Sequence, residues 1–324
     1  MSRRLRRPWL QAFKVVVTLV AVGYVCCKLE QNWEAILAMW SRPWAVVHWT
    51  CFVLSASLMP VNYGLEAQKW RLMVRPFYPG LSMYAAVTAI FAGMAAGAFT
   101  PARLGEYAGR VLFLKEGKRV EAVLATFLDR ICQLFVTLAG GLPALVALLL
   151  LADRRLALDI LGGPISQGVL VSSSLVLALA MVVMLVIPQR VASLIPSGWN
   201  RAAWVRKSRL ALQKLEMILV AKALTLAALR YLVFSTQYVL LLYAFRYEGG
   251  LADAFWMVAL VFLGKSMMPV MGILELGARE AVALVVMTAF GAQEAVAIGS
   301  TLTLYLFNIL LPTLLGVVAM QSLK

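Results

Sequence analysis

This chain is poor in the residues that carry out chemistry. One histidine, His48, occurs in 324 residues; it has no Glu-x-x-His context and reads as a headgroup-level or bundle-packing residue. The four cysteines, Cys26, Cys27, Cys51 and Cys132, all fall in apolar runs, with neither a metal-ligand spacing nor a disulfide framework. Charged residues make up only 14% of the chain. No nucleophile–base–orienter set, Walker A loop, dinucleotide fingerprint or aspartate-rich metal motif can be read. These absences predict no cofactor, no metal and no enzymatic activity. A soluble domain is missing too, because the only long polar stretch, 188–215, is too short to form one.

What the chain has is apolar bulk. It is 62% hydrophobic with a mean hydropathy of +0.85, against about 45–50% apolar in soluble domains. The composition predicts an all-α, polytopic membrane protein. Thirty basic residues face 15 acidic ones, a net charge of +15. In a chain this apolar, the excess marks cytoplasmic loops and contact with anionic headgroups. Nucleic acid is not expected as a partner, since the basic residues lie between apolar spans and no nucleic-acid-binding module is present. The basic N-terminus, Arg3–Arg7, resembles a signal peptide, but bulky Tyr24 and Val25 replace the small residues that cleavage needs.

Full spans are expected at about 10–27, 44–66, 120–151, 168–187, 216–245 and 295–320, with shorter apolar segments at 82–98 and 252–270. The distribution of Lys and Arg orients them in the cytoplasmic membrane: both termini, Lys69, Arg71, Arg75 and Lys115 inside, Gly291 outside. That compass makes 82–98 the first arm of a re-entrant helical hairpin dipping from the cytoplasm. The segment after 252 becomes its counterpart from outside. The result is one membrane domain, 1–324, with an inverted repeat: a first half over about 44–151 and a second over about 216–320. A basic amphipathic linker, 188–215, lies on the cytoplasmic surface between them.

The two short segments end in motifs that mix Pro, Gly and charge. In the first, Gly97, Pro101 and Gly105 are expected to break the hairpin, and Arg103, Glu106 and Arg110 line one face of the helix that follows. Glu106 and Arg110 have the favourable i,i+4 order. In the second, Pro269, Gly272 and Gly277 break the chain beside Glu275, Arg279 and Glu280. Ionisable groups at such depth mark a binding site near the repeat interface, although the first motif also reads as a solvated, salt-bridged cytoplasmic helix. Asp129 and Arg130, inside a long span, are either a locking ion pair or part of the site. Arg230, deep in another span, requires an anion, whether carboxylate or phosphate.

At these motifs the chain resembles the transmembrane, flippase-like region of lysylphosphatidylglycerol synthases and its stand-alone relatives. The resemblance rests on Trp70-Arg71, on Gly97…Pro101-Ala-Arg103-Leu-Gly105-Glu106 with Arg110, on Thr126-x-x-Asp129-Arg130, and on Pro269…Gly272…Gly277…Glu280. It departs where the family usually has Glu-Arg-x-x-Asp and this chain has Asp129-Arg130-Ile-Cys-Gln133, and where Met271–Leu276 is poorer in glycine. The resemblance implies lipid translocation, with a membrane lipid of anionic or other polar headgroup as partner and a lipid-synthesis enzyme as a further one. No cytosolic aminoacyl-transfer domain is read, so synthesis of aminoacyl lipid is not implied. The alternative is a membrane enzyme, or a subunit of one, acting on polar lipids or polyprenyl-linked sugars with Glu106 or Glu280 as acid or base.

Overall fold

The computed structural model describes residues 44–98, 103–114, 117–151, 216–267 and 275–321, together with a few isolated positions. The expected spans 10–27 and 168–187, most of the linker 188–215, and Pro101, Pro269 and Gly272 lie outside the described residues. Every described element is helical. Helix α1 is Val46–Val74, α2 Met83–Ala98, α3 Leu104–Leu112 and α4 Arg119–Leu151. Helix α5 is Met217–Ala244, α6 Leu251–Met267 and α7 Glu275–Ala289. Helices α8 (Glu294–Tyr305) and α9 (Leu311–Gln321) are joined by a π-helical turn, Leu306–Leu310. A long helix, two shorter ones and a long helix therefore occur twice in succession.

Three of these segments are long and apolar enough to cross a membrane: Arg119–Leu148, Met217–Ala244 and Glu294–Gln321. They match the predicted spans 120–151, 216–245 and 295–320. Helix α1 differs from expectation. Its apolar run ends near residue 66, but the helix continues to Val74, about 43 Å in all at 1.5 Å per residue. Asn62, Glu66 and Lys69 recur at i, i+4 and i+7 along its second half, and all three are buried. Lys69, expected in the cytoplasm with Arg71 and Arg75, is instead fully enclosed by protein.

Contacts fix the helix directions. Ser55 bonds Gln237, and Glu66 pairs with Arg230, so α1 and α5 run antiparallel. Trp44 packs edge-on to Phe245 at one end. At the other end, Tyr78 accepts a hydrogen bond from the backbone of Lys118 at 3.1 Å. The α2–α3 pair therefore begins and ends at the Tyr78 end of the bundle. The α6–α7 pair begins after Tyr247 and so starts at the opposite end, beside Phe245. Apolar side chains form two cores, one around Trp70, Met73 and Ile90 and one around Tyr238, Leu242 and Met257.

Glycine holds α2 and α3 together. Gly93 and Gly97 on α2 face Arg110 and Glu106, while Gly105 and Gly109 on α3 face Ala96 and Ala92. Small residues four apart let two backbones approach closely where lipid supplies no hydrophobic drive. Gly97 and Gly105, expected to break the chain, lie in the last turn of α2 and the first turn of α3, on either side of the reversal, and pack the two helices together. Gly277 likewise lies within α7. The chain reverses between Ala98 and Leu104, where Arg103 takes a left-handed backbone with φ of 55°. The Thr100 hydroxyl accepts the Gly105 N–H at 2.6 Å and so caps α3 in place of the Arg103 side chain. A β-carbon added at Gly109 meets the Ala92 carbonyl and the Gly93 Cα, both at 2.7 Å. Gly109→Val is expected to destabilise the protein by about 1–3 kcal/mol. An unchanged melting temperature in detergent would refute this packing role.

Candidate functional site

The polar face of α1, the start of α3, the first half of α4 and the middle of α5 converge on one buried cluster. Glu66 is its hub. Its carboxylate lies 2.7 Å from Arg110, 3.2 Å from both Lys69 and Arg130, and 3.3 Å from Arg230. Glu106 is the second anion, 2.7 Å from Arg110, in contact with Arg130 and 3.8 Å from Arg103. The third is Asp129, 3.4 Å from Lys69 and 3.6 Å from Arg110. Arg110 and Lys69 are fully buried, and the Arg110 guanidinium also lies 5.8 Å from the centre of the Trp70 ring. Burial of so many ionised groups is tolerated because each faces opposite charge, and removing one partner leaves the others stranded.

The expected Glu106–Arg110 pair forms, and the solvated reading of the first motif is excluded because both residues are buried. Asp129 and Arg130, although adjacent, serve different partners: Asp129 turns to Lys69 and Arg110, Arg130 to Glu66 and Glu106. Arg230 finds a carboxylate, Glu66, and donates to Gln133 at 3.1 Å. Gln133 also accepts from Lys69 at 3.3 Å. Glu66 and Lys69 were absent from the sequence-derived site. Their signal was the i, i+4, i+7 row with Asn62. Residues 275–281 are placed only as backbone at the start of α7, so Glu275, Arg279 and Glu280 are described no further here.

Beside the cluster runs a neutral ladder. Asn62 donates to Asn308 at 2.7 Å, Asn308 donates to Gln237 at 2.9 Å, and Gln237 donates to the Ser55 carbonyl at 3.0 Å. The π-helical turn between α8 and α9 carries Asn308, and the Tyr63 hydroxyl donates to its carbonyl. Single π turns of this kind frequently sit at functional sites. They aim one side chain that an unbroken α-helix would direct elsewhere.

A cavity of about 250 Å³ opens over the cluster. Arg103 before α3 and Lys265 and Ser266 at the end of α6 both line it, so the first helix pair and α6 meet there. Its other wall is apolar: Tyr231, Phe234 and Phe262 with Ile90, Met94 and Leu134. Phe234 and Phe262 stack with ring centres 4.9 Å apart. Among the described residues, no group of His, Cys, Asp and Glu side chains is arranged to hold a metal. The geometry offers charge-assisted hydrogen bonds on one side and a greasy surface on the other, the two chemistries of an amphiphile.

The chain belongs to the lysylphosphatidylglycerol synthase TM region family, whose model matches residues 11–316. No curated protein and no solved structure matches it significantly. The family places the buried cluster and its cavity in a lipid-related membrane protein.

Proposed function

We propose that this protein moves a polar membrane lipid across the cytoplasmic membrane, its headgroup phosphate held by the buried arginines while the acyl chains remain in the bilayer. The observation that carries this reading is the cavity between the first helix pair and α6, cationic on one wall and apolar on the other. Guanidinium groups grip phosphate with two oxygens at once. In this reading α2–α3 and α6–α7 are re-entrant hairpins dipping from opposite sides, the two halves of the chain form an inverted repeat, and both termini are cytoplasmic. A lipid-synthesis enzyme is the natural supplier of the lipid.

The reading is non-enzymatic. Glu106, one of the two acid–base candidates of the enzyme alternative, has one oxygen held by Arg110 and Arg130 and the other facing Arg103. A carboxylate so engaged is poorly placed to exchange a proton with substrate.

The test is translocation in sealed vesicles containing the purified protein and a fluorescent phospholipid, with a membrane-impermeant quencher added outside. Protein-dependent loss of the protected fraction is expected, and Arg230→Lys should slow it about ten- to a hundredfold, the loss of one bidentate contact. Protection equal to that of empty vesicles sinks the proposal. Topology supplies a separate check. A single cysteine at exposed Lys118 should react only from the cytoplasm and one at exposed Gly291 only from outside. Labelling of position 118 from outside in intact cells rules out the re-entrant arrangement.

A further inference from the structure

We infer that Gln133 is a specificity-determining residue of this site. Two cations turn its amide oxygen away from the cavity, and its NH2 group is left facing the cavity as a neutral donor to an oxygen of the headgroup phosphate. This rests on the reading of the cavity as a lipid headgroup site and deepens it.

The orientation follows from what the neighbours can do. Lys69 Nζ lies 3.3 Å from Gln133 Oε1, and Arg230 Nη1 lies 3.1 Å from the same atom. Ammonium and guanidinium groups donate hydrogen bonds and accept none, so only the oxygen of the amide can face them. A flipped amide would set its own N–H groups against the donors of two cations at once. The oxygen is therefore fixed inward, toward the fully buried Lys69. Gln133 itself is half-buried and lines the cavity. Its nitrogen, on the other branch of the same planar group, is the part that faces the opening.

The surroundings suit a phosphate. Arg130, Gln133 and Thr137 recur at i, i+3 and i+7 on α4 and all line the cavity, so Gln133 shares its helix face with a guanidinium. Arg230, which Gln133 holds directly, reaches the same cavity from α5. Both arginines are anchored on Glu66, at 3.2 and 3.3 Å, yet their side chains remain 30% and 16% exposed. Donors held in place before the ligand arrives cost little further ordering on binding. A phosphate oxygen accepts from several donors at once, and the amide adds one beside two arginines without adding a third positive charge. A carboxylate at this position would hold Lys69 and Arg230 more strongly and repel the same phosphate. The two roles of the residue, toward the protein's cations and toward the ligand, can therefore be separated.

The experiment compares the full-length wild type with Gln133→Glu and Gln133→Met in detergent. Short-chain phosphatidylglycerol, short-chain diacylglycerol and water-soluble glycerol 3-phosphate are titrated by native mass spectrometry, and stability is read by thermal unfolding. Gln133→Glu keeps the acceptor for Lys69 and Arg230 and loses the donor. It should melt at or above the wild-type temperature and yet bind phosphatidylglycerol about tenfold or more weakly. Gln133→Met loses both groups, so it should melt lower and bind about three- to tenfold more weakly. Diacylglycerol, which has no phosphate, should not distinguish the three proteins. A Gln133→Glu protein that binds phosphatidylglycerol as tightly as the wild type, or that melts below it, overturns the role of Gln133 and leaves the lipid site standing. An equal loss of diacylglycerol binding would be a change of cavity shape and overturns that role as well. Glycerol 3-phosphate binding the wild type as tightly as the lipid overturns the lipid source in favour of a soluble phosphate. No binding of phosphatidylglycerol by the wild type overturns the lipid reading itself.

Discussion

Glu66→Ala is expected to cost about 3–5 kcal/mol, the typical penalty for breaking a buried ion pair from one side. The size follows from what the carboxylate holds. Lys69, Arg110, Arg130 and Arg230 all lie within 3.3 Å of it, and they come from four different helices. Without it, Lys69 and Arg110 retain Asp129, and Arg110 and Arg130 retain Glu106. Arg230 is left with the neutral Gln133 amide as its described partner. Four cations would then be held by two carboxylates inside a low-dielectric bundle, where mutual repulsion is poorly screened. Glu66→Gln keeps the shape and one acceptor oxygen, so it should recover part of the loss but not the charge. Thermal unfolding in detergent, compared at equal lipid content, measures both variants. A Glu66→Ala protein that melts with the wild type would mean that the cluster is solvated and not a sealed network.

The helical class and three of the long spans were legible because they depend on local composition. Apolar runs of the right length become helices whatever surrounds them, and α4, α5 and α8–α9 fall within a residue or two of the predicted bounds. The centre of the site was less legible because it depends on partners far along the chain. Hydropathy ended the second span at Glu66, and the positive-inside rule assigned Lys69 to the cytoplasm. Both readings treat a charge as a cost to be placed in water. For Glu66 the cost is removed by Arg110 and Arg230, 44 and 164 residues away, and for Lys69 in part by Asp129, 60 residues away, which a local window cannot see. A charge count gave the available hint: Arg103, Arg110, Arg130 and Arg230 in the first-half motif and the spans outnumber Glu106 and Asp129, which calls for a further anion, carboxylate or phosphate. The packing role of Gly97 and Gly105 was hidden for a related reason. Their spacing to Gly93 and Gly109 marks a helix–helix contact, but only once the two helices are known to pack. The π turn at Asn308 left no local signature, since its register answers to Asn62 and Gln237 on other helices.

Replacing Lys69 and Asp129 singly and together should separate pairing from ligand contact. The Lys69 ammonium is fully buried, 3.4 Å from Asp129, 3.2 Å from Glu66 and 3.3 Å from Gln133. Lys69→Met leaves Asp129 facing only Arg110 at 3.6 Å, and the stranded carboxylate should cost about 3–5 kcal/mol. Asp129→Asn alone leaves the ammonium with Glu66, so its cost should be smaller. The double variant removes one charge of each sign. Glu66 still holds Arg110, Arg130 and Arg230, and Arg110 still holds Glu66 and Glu106, so most of the loss from Lys69→Met should be recovered. Its expected signature in a double-mutant cycle is a favourable coupling energy of about 1–3 kcal/mol. Costs that simply add would show that Lys69 and Asp129 do not interact. Neither residue lines the cavity, and the double substitution leaves the charges of the described lining residues unchanged. Lipid binding and translocation by the double variant should therefore stay near wild type, whereas the Arg230 variant, at similar stability, should lose both. A double variant that is stable but no longer binds lipid would move the ligand deeper, onto Lys69 itself.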